Sequence, residues 1–309
     1  MHIPDGFIAD PFIWGGCSVL SLLTLGLASR QVGTLWQERA PLLPAMTGAF
    51  LFAAQMFNFP VAGGTSGHLL GGLLACVLLG GWTGMLVTAL VLTVQALLFQ
   101  DGGVTALGAN VFNMAVVGGG GAYLLYTRLA ALSGSAGFRR AMLVLSGFVG
   151  VQAAAFLAGL EIGIGGVVPT HTALLAMSTV HLPIGLAEGV ATAAIVGALQ
   201  RLRPDLLMGA EPAVVPARVW ALAGAGVMAL AGLAVLFASS LPDGLEHVAE
   251  QLNFSSRAFA ALPAPFPDYQ LHEESPMWQK LLISAVGLVV VSGCMLVVQR
   301  LVTSMRRSS

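Results

Sequence analysis

Nine apolar runs, each close to the roughly 20 residues that an α-helix needs to cross a bilayer, constrain this chain more than any other feature. They lie near 12–29, 41–58, 66–81, 82–99, 107–127, 141–160, 181–200, 218–239 and 280–299. In lipid every backbone N–H and C=O must find a partner within the protein, so a spanning segment is a helix or part of a closed barrel. Runs of this length specify helices, and the expected fold is an all-α polytopic membrane protein. The third and fourth runs are short and meet at Gly80-Gly81-Trp82, so one of them is expected to be broken or tilted. Only 9% of the residues are charged, against about 25% in soluble domains. The net charge of -1 gives no sign of a nucleic-acid partner.

Orientation follows from where the basic residues fall, because cytoplasmic loops are enriched in Lys and Arg. Alternate loops collect Arg30, Arg39, Arg128, Arg139, Arg140, Arg201, Arg203, Arg218, Arg300, Arg306 and Arg307, leaving only Arg257 and Lys280 for the other side. Asp5, Asp10, Asp101, Glu161, Asp243, Glu246, Glu250, Asp268, Glu273 and Glu274 divide the opposite way. Nine spans, with the N-terminus outside and the C-terminus in the cytoplasm, satisfy the pattern. The polar, proline-bearing stretch from Arg201 through Glu211, Pro212 and Pro216 to Arg218 reads as a joint between a seven-helix unit and a two-helix unit. The second unit carries a long acidic outer loop, about 240–279, and a loop of that length is functional or mobile.

The expected outside location gives Met1 and His2 chemical weight. The start has no basic n-region of a signal peptide, so Met1 is expected to be retained. The amine of Met1, the backbone nitrogen of His2 and its imidazole can close small chelate rings on one ion, nearly in a plane. Tetragonal Ni(II) and Cu(II) favour such a plane, whereas zinc sites are usually tetrahedral. A fourth ligand is then missing, and His68, in the Gly63-Gly64-Thr65-Ser66-Gly67-His68 loop, is expected on the same side. The plainer alternative is that Pro4-Asp5-Gly6 is an ordinary turn and His2 merely leads into it.

Taken together, Met1-His2-Ile3-Pro4-Asp5-Gly6-Phe7, Gly63-Gly64-Thr65-Ser66-Gly67-His68-Leu69 and Ile184-Gly185-Leu186-Ala187-Glu188-Gly189 resemble the CbiM/NikM substrate-capture (S) component of cobalt and nickel energy-coupling-factor (ECF) transporters. Pro242-Asp243-Gly244-Leu245-Glu246 is similar to the PDGLE-type small N component, here fused behind it. The resemblance covers essentially the whole chain. It implies an S-component-like bundle over 1–203, a cytoplasmic linker over 204–217, and a two-helix transmembrane hairpin over 218–309. It implies Ni2+ or Co2+ as the transported ligand, held by Met1, His2 and His68, with no catalytic cofactor. Its partners are implied to be a transmembrane scaffold (T) component and two cytoplasmic ABC ATPases. The implied location is the plasma membrane of a prokaryote, and the implied biological setting is nickel uptake or cobalamin biosynthesis.

Other polar residues near the expected spans are candidates for an outer hydrogen-bonding shell or an ion route: Asn58, Ser66, Asn110, Asn113, His181 and Glu188. Ligating histidines usually donate their second ring nitrogen to such an acceptor. Glu188 is the one acidic residue inside an expected span and is costly to bury alone. His181 lies two turns before it on the same helix face. Ser66 is expected to cap the helix that follows. Small-residue pairs such as Gly80 with Gly84 and Gly118 with Ala122 suit packing against a partner or within the chain itself. The three cysteines form no CxxC pair. There is no G-x-x-x-x-G-K-[ST] phosphate loop, so ATP-driven transport would draw its energy from partners. Two rivals keep different chemistries open: an intramembrane zinc metalloenzyme using His68, His181 and Glu188, and a self-sufficient metal-ion channel or secondary carrier.

Overall fold

The computed structural model describes residues 1–32, 42–207, 215–272 and 275–307. Arg39, Glu211, Pro212, Glu273 and Glu274, invoked above for orientation and for the joint, lie outside the described residues.

The chain is mostly helical. Residues 1–10 form an extended hook, and Asp10 then starts α1 (Pro11–Gln31) by accepting the Phe12 N–H, with Pro11 preset for the first turn. α2 (Leu43–Met56) leads into an antiparallel hairpin of β1 (Phe59–Val61) and β2 (Thr65–Gly67). The hairpin turns at Gly63 and Gly64, both at positive φ, a conformation that glycine adopts without a Cβ penalty. α3 (Gly72–Leu79) is only eight residues long and buried throughout. α4 (Gly81–Val94) follows directly, widening into a π-helical turn over Gln95–Phe99. α5 (Leu107–Asn110), a π-helical stretch over Val111–Gly121 and α6 (Ala122–Ala130) run on without a break. α7 (Ala136–Ile164) and α8 (Thr170–Leu202) pair along their length. Gly147 permits this approach, since a Cβ there would sit 2.7 Å from the Cα of Gly189. α9 (Ala217–Phe237), the short α10 (Gly244–Gln251) and α11 (Met277–Arg307) complete the chain.

Six helical segments are long and apolar enough to cross a membrane among the described residues: Pro11–Gln31, Gly81–Phe99, Ala136–Ile164, Thr170–Leu202, Ala217–Phe237 and Met277–Leu301. Leu43–Met56 is a shorter apolar helix. Leu22 and Leu23 of α1 and Leu222 and Phe237 of α9 are exposed, as suits helices that face lipid. The run near 66–81 does not form one helix. Its first third is β2 and extended chain, and Gly80, at positive φ, ends α3. The run near 181–200 begins earlier than expected, at Thr170, which puts His171 in the first turn of α8 rather than in a loop. α7 continues past 160, so Glu161 lies inside a helix and is buried. Gly84 faces the backbone of Cys76, and Gly118 faces Leu70 and Ala154, so both glycines serve the chain's own interior.

The segment between α9 and α11 folds back over the hook and the hairpin. Phe259 N–H donates to Asp5 O at 3.2 Å, Ser66 N–H to Pro242 O at 2.8 Å, and Ser239 N–H to Asn58 O at 2.8 Å. Met1, Ile3, Phe7 and Ile8 thereby share one apolar core with Leu245, Val248 and Phe254. The Phe7 and Phe254 rings meet edge to face at 4.9 Å.

Candidate metal centre

A buried hook must satisfy its own backbone groups, and α5 supplies the partner. Asn110 acts as a surrogate strand, accepting Ile3 N–H at 2.8 Å and donating to Ile3 O at 3.0 Å. Gly103 N–H also donates to Ile3 O, at 2.8 Å. The carboxylate of Asp5 accepts Thr105 N–H at 2.7 Å and Ala261 N–H at 3.0 Å. These contacts fix Met1 and His2 at the inner end of the hook, where they are only 4% and 8% exposed.

The Met1 amino nitrogen lies 3.2 Å from His68 Nε2 and donates to Asp243 Oδ2 at 2.6 Å. His68 Nδ1 is 3.1 Å from Leu69 O, so Nδ1 carries the hydrogen and Nε2 presents its lone pair to the amine. Two nitrogens bound at right angles to one ion at about 2.0–2.1 Å are about 2.9 Å apart, near the spacing seen here. The imidazoles of His2 and His68 stack at 5.0 Å with 17° between their planes. His2 Nδ1 points to Asp101 Oδ1 at 2.9 Å, and Tyr269 donates its hydroxyl to Asp101 Oδ2 at 2.6 Å. His2 Nε2 is buried and has no partner among the described residues.

Burial, then the positive charge of the Met1 amine and of His2, pulls the His68 imidazole down to about 3. Burial alone would raise Asp243, but the ammonium of Met1 and His68 hold it well below the usual carboxylate range. Asp101 is likewise opposed by burial and held low by His2, with further help from the Tyr269 hydroxyl. The folded state keeps His68 neutral while the unfolded chain protonates it, so folding stability contributed here is present above 6.5 and lost as pH falls toward about 3. Thermal melts of the metal-free protein are expected to show this acid loss. The same series on His68→Asn should be flatter between those limits; identical slopes would contradict the assignment.

The remaining sequence candidates divide. Glu188 accepts Leu70 N–H at 2.8 Å and Gly71 N–H at 3.0 Å, so it braces the chain just after His68. His181 Nδ1 is 2.8 Å from Met177 O, and its Nε2 has no partner among the described residues. The two therefore share a face but serve different neighbours. Asn113 donates to Glu161 at 2.7 Å. Asn58 contributes its main-chain oxygen to Ser239. Ser66 does not cap α3: its hydroxyl donates to Leu241 O at 2.8 Å, tying the hairpin to the later segment. The residues that sequence reasoning missed are Asp101, Asp243 and Tyr269. The Pro242-Asp243-Gly244-Leu245-Glu246 stretch singled out in the sequence was the signal for Asp243, and it carried no indication that this carboxylate meets Met1. Among the described residues no three His, Cys, Asp or Glu side chains gather as a metal site by themselves. His68, His181 and Glu188, the set that the zinc alternative needs, are not such a group among the described residues.

Fold and site together define a multi-pass helical membrane protein that buries its own amino terminus against two histidines. The chain belongs to the CbiM family: residues 2–206 match the family model described as the cobalt uptake substrate-specific transmembrane region, and residues 217–304 match the PDGLE domain. A protein of Archaeoglobus fulgidus, named provisionally as a fused nickel transport protein NikMN, is 37% identical over 301 residues, 94% of this chain and 95% of its own. The fused nickel transport protein NikMN of Rhodobacter capsulatus is 37% identical over 254 residues, 74% of this chain and 71% of its own. A truncated transition metal transporter of known crystal structure is 32% identical, with a TM-score of 0.57, covering 65% of this chain and 98% of the other.

Proposed function

We propose that this chain is the membrane component that captures nickel or cobalt ions for an ATP-driven ECF-type importer. The observation that carries the reading is the Met1 amine, buried and set 3.2 Å from the lone-pair nitrogen of His68 with the His2 ring stacked alongside. Membership of the CbiM family and likeness to nickel transport proteins support the choice of cargo. The ion would be held in a plane by the Met1 amine, the His2 backbone nitrogen and Nδ1, and His68 Nε2. Binding a backbone amide nitrogen expels its proton, which Ni(II) promotes well and Zn(II) poorly. Asp243 and Asp101 stand beside the ligands and offset the positive charge that the ion brings.

Chelation changes the metal-free arrangement in two places. The amine must leave Asp243 as an ammonium donor, and His2 Nδ1 must turn from Asp101 toward the ion. The domain reading is a capture unit over 1–203 joined through 204–217 to a hairpin unit over 218–309. With no phosphate loop in the sequence, the energy for release would come from a T component and two ABC ATPases at a prokaryotic plasma membrane.

Two assays test the reading. Purified protein with an authentic N-terminus, offered equimolar nickel, cobalt and zinc, is expected to retain one equivalent of nickel or cobalt in preference to zinc. Vesicles containing this chain together with the T component and ATPases are expected to accumulate nickel or cobalt only when ATP is present. Full accumulation by this chain alone would favour the self-sufficient carrier, and retained zinc with hydrolytic activity would favour the metalloenzyme.

A further inference from the structure

We propose that Tyr269 is a positioning residue for the metal centre, acting through Asp101 on the orientation of the His2 ring. The inference rests on the four-nitrogen reading above and adds to it a route by which the loop of the second unit sets metal affinity. The two oxygens of Asp101 are used along one line: Oδ1 faces His2 Nδ1 at 2.9 Å and Oδ2 accepts the Tyr269 hydroxyl at 2.6 Å. The carboxylate therefore cannot rotate without giving up one partner.

Tyr269 is itself held in place. Its ring stacks on Phe99 at 4.6 Å and meets Phe52 edge-on at 5.9 Å. Gln95 Nε2 lies 3.4 Å from its hydroxyl oxygen. Asp268 and Tyr269 are consecutive non-glycine residues at φ 51° and 60°, a left-handed pair that costs free energy and persists only where its surroundings enforce it. At that bend the Tyr269 ring packs inward against the Phe52 and Phe99 pair. Burial and the neighbouring Asp101 raise the phenol well above its ordinary value, so it stays a donor.

A ligating imidazole commonly donates its second N–H to an outer carboxylate, which fixes both tautomer and ring angle. Asp101 is the carboxylate against His2. In the metal-free form it takes the Nδ1 edge of the ring. A half-turn about Cβ–Cγ exchanges Nδ1 with Cδ2 and Cε1 with Nε2, so a turn that frees Nδ1 for the ion brings Nε2 to the edge facing Asp101. Nε2, which is buried without a partner among the described residues, then gains an acceptor. Tyr269 keeps that carboxylate at the same edge of the ring in both states.

The test is a nickel chloride titration of the full chain with an authentic N-terminus, followed by absorption, in wild type, Tyr269→Phe, Asp101→Asn and His2→Ala. Tyr269→Phe keeps the aromatic stack and removes only the hydroxyl. It is expected to weaken nickel binding about tenfold, and Asp101→Asn by up to about a hundredfold. Both should keep the wild-type absorption spectrum and one-to-one stoichiometry. Wild-type affinity in Tyr269→Phe, with binding lost in His2→Ala, overturns the inference and leaves the four-nitrogen site standing. Normal binding by His2→Ala removes the reading on which both depend. A melting temperature of metal-free Tyr269→Phe that falls in step with its affinity indicates a purely structural role and also overturns it.

Discussion

Replacing His2 with Ala, or placing four extra residues before Met1, is expected to weaken nickel binding by at least about three orders of magnitude, roughly 4 kcal/mol. In the proposed centre the two changes remove different parts of one chelate. His2→Ala leaves the amine and His68 but deletes the imidazole that closes the second ring. The extension converts the amine into a peptide nitrogen, which is no longer a basic donor. It also has nowhere to go, because Met1 is 4% exposed and its nitrogen is wedged between His68 and Asp243. Calorimetric titration with nickel would measure both variants beside the wild type. Tight one-to-one binding by the extended protein would sink the model, since no other described group repeats the amine's geometry.

Gly103→Ala is expected to have the second-largest effect. A Cβ at this position would lie 2.2 Å from Asp5 N and 2.7 Å from the Pro4 carbonyl carbon. Those atoms are backbone and cannot swing aside. Asp5 is moreover tied to Thr105 and Ala261, and Gly103 N–H itself donates to Ile3 O. Overpacking of this kind costs about 1–3 kcal/mol, and the cheapest relief is for the hook to leave its groove. Nickel affinity should then fall along with the melting temperature. Gly16→Ala in α1, where a Cβ meets nothing within 4 Å, is the matched control and should be neutral or slightly stabilising. Equal behaviour of the two variants would show that the hook does not depend on the Gly103 contact.

Much of the architecture was legible because apolar length is a direct physical demand of the bilayer. The helices α1, α7, α9 and α11 were marked by their runs, and the Gly80-Gly81 interruption marked where α3 stops. That Met1, His2 and His68 come together was legible because the first two are next to each other in the chain and because loop parity put His68 on their side. What could not be read was everything that depends on long-range return of the chain. Asp243 reaches Met1 across 242 residues and Tyr269 reaches Asp101 across 168. No local periodicity encodes either contact. Ser66 was misassigned for a related reason: its hydroxyl has a good local use as a cap, but the returning Leu241-Pro242 segment offers the Leu241 carbonyl at 2.8 Å, and the tertiary partner wins. Glu188 looked like half of a pair with His181 because both lie on one helix face. The main-chain N–H groups at the turn after His68 are closer claimants for its charge.

Asp243 comes from the segment that matches the PDGLE domain, while the amine it holds immediately precedes the segment that matches the CbiM family. Joining the two in one polypeptide makes their meeting a unimolecular event, governed by an effective concentration set by the tether rather than by the abundance of a second gene product. Every copy of the protein then carries its own carboxylate for the metal-free amine, independent of expression ratio. Severing the chain between the two segments would expose that dependence as dilution-sensitive metal binding.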